Sequence, residues 1–225
     1  ESQIQICRDL ALELSERRRQ TALELEASIE RELRDLNMPS VGFKVQIDPV
    51  SKRYGFDKNG GDSVAFLMSA NAGEKMDRIS KVASGGELSR IMLAMKNVFA
   101  QNDIVETMVF DEIDAGISGI AAQRVGEKLS DVADHKQVIC VTHLSQIAVM
   151  GDSHFRIEKS EAEGRTFTNI NKLNMEDRKW EIARLHGGVH ITDLTLASAQ
   201  DQLDAAEARF EELSLRNKDR IRAME

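Results

Sequence analysis

The sequence predicts an α/β fold with a helical arm in front of it, and three observations carry that expectation. Residues 1 to 36 hold neither glycine nor proline and are rich in Glu, Arg and Leu, the composition of a long helix. The apolar runs Thr107 to Phe110 and Gln137 to Val141 enclose a helical pattern from about Ile120 to Val132, the order of a parallel crossover unit. Leu88, Ile91, Met92, Met95, Val98 and Phe99 recur at three- and four-residue spacing, which describes an amphipathic helix of about 15 residues before the first of those strands.

In chain order, the arm shows a rough apolar seam at Leu10, Leu14, Leu25, Ile29, Leu33 and Leu36, with a register break between Leu14 and Leu25. Such a seam asks for a partner helix from another part of the same protein, or for a surface of its own domain. Asn37-Met38-Pro39 stops the helix, because proline disfavours the helical region for the residue before it. Val41, Phe43, Val45 and Ile47 alternate with polar neighbours as a half-buried strand does. Pro49 and the Gly60-Gly61 pair bracket a loop or hairpin tip, Val64 to Met68 forms a second strand, and Ala72 to Val82 reads as a connecting loop. A glycine-containing turn, Asp114 to Gly119, follows the strand that ends at Phe110. Phe155 to Glu158 and Thr166 to Leu173 pair as a hairpin around Glu163-Gly164. Helices at Met175 to His186 and Thr192 to Leu215 complete the chain. The last carries Leu196, Ala199, Leu203, Ala206, Phe210 and Leu213 on one face, a short coiled-coil-like seam suited to packing on the domain or to binding a partner.

At 225 residues the chain can bury one sizeable core, or one domain plus helical arms. A net charge of -8 excludes a nucleic-acid footprint over the whole surface and leaves room for a local patch. Lys75, Arg78, Lys81 and Arg90 gather positive charge near residue 84, as a solvated face or as charge beside a nucleotide. Cys7 and Cys140 lie far apart without CxxC spacing, and no apolar run is long enough to span a bilayer, so a reduced, cytoplasmic protein without membrane partners is expected. The chain opens without Met in the middle of a charged helical pattern, which reads as an excised piece of a longer protein.

The chemistry concentrates in three places. Ser84-Gly85-Gly86-Glu87 is a capping box for the helix that follows, Ser at the cap and Glu three residues on. A capping box leaves its two glycines unexplained: each costs about 1 kcal/mol against alanine in a helix, so something must approach that backbone closely. Bare amides at a helix N-terminus with a serine hydroxyl are suited to phosphate. Asp111 and Glu112 end an apolar strand, where paired carboxylates are costly unless a cation or substrate uses them. Asp111 fits a Mg²⁺ shell, holding the ion through water, and Glu112 fits a base that orients and deprotonates an attacking water. The alternative is a pair that merely caps the next turn. His143 lies past the second strand of the crossover, at the strand ends where ligands sit, and fits a hydrogen bond to a terminal phosphate as well as an ordinary capping role. No GxxxxGK[ST] loop and no Gly-Lys dipeptide occurs, so the phosphate cradle must come from elsewhere. His186-Gly187-Gly188-Val189-His190 has metal-like spacing only if helical, which its glycines oppose.

The strings Lys81-Val82-Ala83-Ser84-Gly85-Gly86-Glu87-Leu88-Ser89-Arg90, Val109-Phe110-Asp111-Glu112-Ile113-Asp114-Ala115-Gly116 and Val141-Thr142-His143-Leu144-Ser145-Gln146-Ile147-Ala148 resemble the C-terminal half of the RecN family of bacterial DNA repair proteins. That family is related to the SMC and Rad50 ATPases, and the resemblance runs from about residue 1 to about residue 205. It implies that Ser84, Gly85, Gly86 and Glu87 form the ABC signature motif, Asp111 and Glu112 the Walker B pair, Asp114 to Gly116 the D-loop, and His143 the switch histidine. Ala83 and Glu87 stand where transporter ATPases usually carry Leu and Gln, a pattern similar to the repair branch.

The resemblance also implies the architecture. Residues 1–36 would be the end of a returning coiled-coil arm, residues 37–190 the C-terminal lobe of an ABC/SMC-type P-loop ATPase head with a largely parallel sheet flanked by helices, and residues 191–225 a C-terminal helix and tail. The Walker A loop would come from an N-terminal lobe of the same protein. ATP and Mg²⁺ would sit between two heads, each presenting Ser84 to nucleotide held by the other, and the complete protein would bind DNA in double-strand break repair. Two rivals remain: an ABC-type ATPase of another system such as transport, and a non-catalytic dimerisation or docking module.

Overall fold

The computed structural model describes residues 2–69, 71, 73–79, 85–99, 104–162, 165–188 and 190–222. The chain divides into two compact units, one of residues 1–115 and 135–139, the other of residues 116–134 and 140–225.

The first unit begins with helix α1, Ser2–Asp35. The seam read from the sequence divides at its register break. Ile29, Leu33 and Leu36 are fully buried in the core of this unit, whereas Leu10 and Leu14 stay exposed. Burial of three such side chains is worth about 1.5–3 kcal/mol each, enough to hold the C-terminal half of the helix in place. The N-terminal half meets its own unit through small residues: Ala11 and Ser15 are buried and pack against Gly61. Arg18 donates to the Asn59 carbonyl at 2.8 Å. The helix ends earlier than Pro39 requires. Asn37 has φ 60, its amide donates to the Arg34 carbonyl, and the Met38 amide donates to the Leu33 carbonyl at 2.9 Å. This is the Schellman arrangement, with asparagine in the left-handed position, and it closes the helix locally.

Strands β1 (Gly42–Pro49) and β2 (Asp62–Ser69) form the expected antiparallel hairpin, in register Phe43 with Met68 and Val45 with Phe66. Phe43, Val45 and Met68 face the core. The Glu26 carboxylate of α1 accepts from the Val45 amide at 2.8 Å, tying helix to sheet. A two-residue strand β3, Asp77–Arg78, pairs with β2 inside the segment expected to be loop; two charged residues give no apolar alternation to signal it. Helix α2, Gly85–Phe99, buries Ile91, Leu93, Ala94 and Met95 and packs on α1, where Asn97 donates to Glu32 at 2.6 Å. Met92, expected on the apolar face, is exposed. Strand β4, Thr107–Phe110, pairs with β5, Gln137–Cys140, in the parallel sheet that the crossover pattern predicts.

The second unit holds the crossover helix α3 (Gly119–Ala133), the short helix α4 (Ser145–Ala148), the hairpin β6 (Phe155–Ala162) and β7 (Arg165–Lys172), and helices α5 (Met175–Gly187) and α6 (Asp193–Arg222). Asn174 caps α5 by accepting from the Asp177 amide at 2.9 Å. The stripe on α6 does what its spacing suggests. Ala199, Leu203 and Ala206 bury against Ile182, Ala183 and Val149, with Leu196 and Phe210 at the margin. Arg209 of α6 also reaches Asp131 of α3 at 2.8 Å. The tip of the β6–β7 hairpin, at residues 163 and 164, lies outside the described residues. Helix α5 ends at Gly187 and Gly188 has φ 72, so His186 and His190 do not share a helix.

Candidate nucleotide-hydrolysing site

Strand β4 sends Met108 and Phe110 into the core, and the chain then leaves the sheet with both following carboxylates in solvent. Asp111 folds its side chain back: one oxygen accepts from the Glu112 amide at 2.9 Å. Glu112 has φ 56, a left-handed conformation that costs a non-glycine residue about 1 kcal/mol or more and that clusters at functional sites. The Ala115 amide donates to the Glu112 carbonyl at 3.1 Å, which closes the turn. Ile113 and Asp114 are buried beneath it.

The first turn of α2 is interlocked with this turn. A Cβ placed on Gly86 would lie 2.7 Å from the Ala115 Cβ and 3.1 Å from the Glu112 carbonyl oxygen, so no side chain fits there. A Cβ on Gly85 would lie 2.8 Å from a Glu112 carboxylate oxygen. Close approach was the expectation for these two glycines; within the described residues it is the chain's own turn that approaches. Ser89 donates from its hydroxyl to the Asp111 carbonyl at 3.0 Å. Arg90, buried, donates from one guanidinium nitrogen to the carbonyls of Ala115 at 2.8 Å and Ile113 at 3.3 Å. Burial pulls the Arg90 pKa down, and the carboxylate of Glu87 opposes that shift. Arg90 therefore does not belong to a solvated basic face, while Lys75 and Arg78 are exposed.

Gly85, Gly86, Glu87, Asp111, Glu112 and Asp114 thus lie together in the first unit. Ser84 and Lys81 fall outside the described residues. The fit to Mg²⁺ is that of a substrate-assisted site. Among the described residues no group of three His, Cys, Asp or Glu side chains could hold a metal. Mg²⁺ is commonly held by one or two carboxylates plus water and substrate phosphates, and the exposed Asp111 can supply such a contact.

His143 belongs to the second unit and is exposed. Its turn is built by Thr142, whose hydroxyl accepts from the Leu144 amide at 3.1 Å, and by the Leu144 carbonyl, which accepts from Ala148 at 3.0 Å. Gly126 of α3 lets the α4 backbone come close, since a Cβ there would lie 2.9 Å from the Gln146 carbonyl oxygen. Arg178 of α5 reaches the carbonyls just past α4, donating to Val149 at 2.8 Å and also to Gly151. Burial, then the neighbouring Arg178 charge, hold the His154 pKa below its ordinary value against Glu181. Sequence reasoning did not single out Ser89, Gly126 or Arg178. A mid-helix glycine at 126 and an arginine among the buried positions of α5 were the available signals.

No family model matches the chain. It is similar to curated proteins named DNA repair protein RecN. The one from Halalkalibacterium halodurans is 43% identical over 190 residues, covering 84% of this chain and 34% of that protein. That from Bacillus subtilis is 38% identical over 219 residues, 89% of this chain and 37% of that protein. That from Rickettsia prowazekii is 41% identical over 198 residues, 86% and 34%. The chain spans about a third of the length of these relatives. The resemblance read from the three motifs is therefore borne out across most of the chain. Among solved structures, the Smc head domain of Pyrococcus furiosus with an extended coiled coil, bound to the C-terminal domain of ScpA, matches with TM-score 0.53 at 19% identity, covering 82% of this chain and 43% of that one. The Smc head domain of Pyrococcus yayanosii with a coiled coil and joint gives 0.51 at 19% identity, 72% and 29%. The fold is α/β with an N-terminal helix and is like that of part of an Smc head domain.

Proposed function

We propose that this chain is the C-terminal lobe of an SMC-like ATPase head, with the end of its coiled-coil arm, in a protein of DNA double-strand break repair and recombination. The reading is supported by the similarity to RecN proteins over more than four fifths of the chain. The single structural observation that supports it is the interlocking of the Gly85-Gly86 helix start with the Asp111–Ala115 turn, because the element that would face a second head's nucleotide and the turn that would serve the head's own are thereby joined in one body.

In this reading Glu112 is the general base, its exposed carboxylate taking the proton of the water that attacks the terminal phosphate of ATP. Asp111 would hold Mg²⁺ through water, and the ion when bound would supply charge neutralisation at the phosphates. His143 hydrogen-bonds the terminal phosphate, and Asp114 belongs to the loop facing the second head. Ser84, with the amides of Gly85, Gly86 and Glu87, stabilises the nucleotide carried by a second copy. The Walker A loop is supplied by an N-terminal lobe of the same protein, and hydrolysis requires two heads. DNA is a partner of the complete protein, which works in the cytoplasm. This chain alone is inactive.

The test is Mg²⁺-dependent hydrolysis by the full-length protein. Glu112→Gln is expected to lower kcat by about 100-fold or more, the usual contribution of a positioned base, with ATP affinity little changed. Turnover equal to wild type would remove Glu112 from the base role. A docking module without catalysis would show no Mg²⁺-dependent turnover with both lobes present.

A further inference from the structure

Arg90 is buried and hydrogen-bonded to a different element of the first unit, and the proposed hydrolytic chemistry gives it no task. It is 6% exposed, although arginine is among the residues least often buried. Its two hydrogen bonds go to backbone carbonyls on a different element, 23 and 25 residues away in sequence. Its Nε is buried without a partner, so the guanidinium sits there despite one unsatisfied donor. A buried cation held by two carbonyls, one turn along from the glycines and beneath the turn that carries Glu112, is placed to fix geometry.

We propose that Arg90 is a positioning residue that locks the Ile113–Ala115 turn to the α2 helix, so that Glu112 and Asp114 keep a fixed place relative to Gly85, Gly86 and Glu87. This rests on the ATPase reading given above. In that reading α2 faces the nucleotide of the second head and the Asp111–Ala115 turn serves the head's own nucleotide. Arg90 then links the two sites: movement of the helix start on engagement is passed to the base through the guanidinium rather than lost in the turn. Gly86 and Ser89 act in the same contact. Gly86 admits the turn's backbone to the helix, and Ser89 holds the Asp111 carbonyl. Both bonds leave one nitrogen, so a lysine ammonium can make them where its stem reaches; what lysine lacks is the rigid planar head that holds that nitrogen in place, and it therefore restores the contact only in part.

The test uses the full-length protein with Arg90→Met, which fills the volume without donors, and Arg90→Lys, which restores one cation. Steady-state hydrolysis and amide hydrogen exchange are measured together. Arg90→Met is expected to lower kcat about 10-fold or more while KM changes less than about 3-fold, with Arg90→Lys between it and wild type. Exchange at the Glu112–Gly116 amides, Ala115 above all, is expected to rise about 10-fold while the Met92–Val98 amides and the β1–β2 hairpin keep wild-type protection. Three results would overturn the proposal: wild-type kcat in both variants, unchanged exchange at Glu112–Gly116, or exchange raised equally throughout the unit. Failure of both variants to fold would assign Arg90 to stability alone and overturn it too. If wild-type protein hydrolyses no ATP, the functional reading fails, and the exchange pattern still decides the lock.

Discussion

At the scale of single residues, the chain accepts local cost where chemistry is proposed. Glu112 holds a left-handed backbone that glycine would adopt freely, and its carboxylate stays in solvent at the end of an otherwise apolar strand. Glu112→Gly is therefore expected to raise folding stability by about 1 kcal/mol while abolishing hydrolysis in the full-length protein, a trade that thermal unfolding and turnover read separately. A loss of stability on that change would mean that the carboxylate's contact with the α2 start outweighs the strain. Gly86→Ala tests the opposite contact. With 2.7 Å to the Ala115 Cβ, a methyl group must push the turn away, and a destabilisation of about 1–3 kcal/mol is expected by chemical denaturation. His154 adds a pH dependence. Its pKa is lowered in the folded chain, so the unfolded chain binds the extra proton first as pH falls below the ordinary histidine value. Stability should decline through that window, and His154→Gln should flatten the decline. An identical acid limb in the variant would show that other groups set it.

At the scale of elements, periodicity made most of the architecture legible. The Phe43-Val45 alternation, the β4–α3–β5 crossover and the α6 stripe all bury one face, so their sequences repeat with the period of the element, and the structure contains each. What escaped notice is what leaves no periodic trace. Strand β3 is two charged residues, α4 is a single turn, and the end of α1 is set by the left-handed Asn37 rather than by Pro39. The proposed site was legible as residue types, Asp111, Glu112, Gly85 and Gly86, because glycines and paired carboxylates are expensive where they stand. Arg90 was misread for a physical reason: an arginine beside other cations looks solvated in one dimension, and its carbonyl partners lie more than 20 residues ahead. The split seam of α1 can be tested at this same scale. Leu33→Ala should cost about 2–5 kcal/mol, as a fully buried leucine does, whereas Leu10→Ala should change stability by no more than about 0.5 kcal/mol. Equal effects of the two would mean that the helix packs along its whole length.

At the scale of the whole molecule, both units leave apolar surface open that a finished head would cover. In the first unit Val109 of β4 is 66% exposed, and Ile139 of the paired strand β5 is half-exposed. In the second, Ile157 and Ile170 oppose each other on the β6–β7 ribbon and both are exposed. A strand of a parallel sheet is normally covered on both faces, and among the described residues of its own unit Val109 has no such cover. With the chain spanning about a third of its relatives, the N-terminal lobe is the occupant that the ATPase reading requires. Co-production of that lobe with this chain should yield a complex that co-purifies and hydrolyses Mg-ATP, and Val109→Lys should weaken co-purification without lowering the chain's own unfolding midpoint. In the proposed reading, Ser84→Arg would set a bulky cation against the nucleotide of the second head. It should leave the two lobes associated and ATP bound, yet reduce hydrolysis and ATP-dependent dimerisation together, by about 10-fold or more if the serine lies within the engaged site. Hydrolysis by this chain without the second lobe would refute the division of the site between lobes. Normal hydrolysis by the Ser84→Arg protein would refute its sharing between heads.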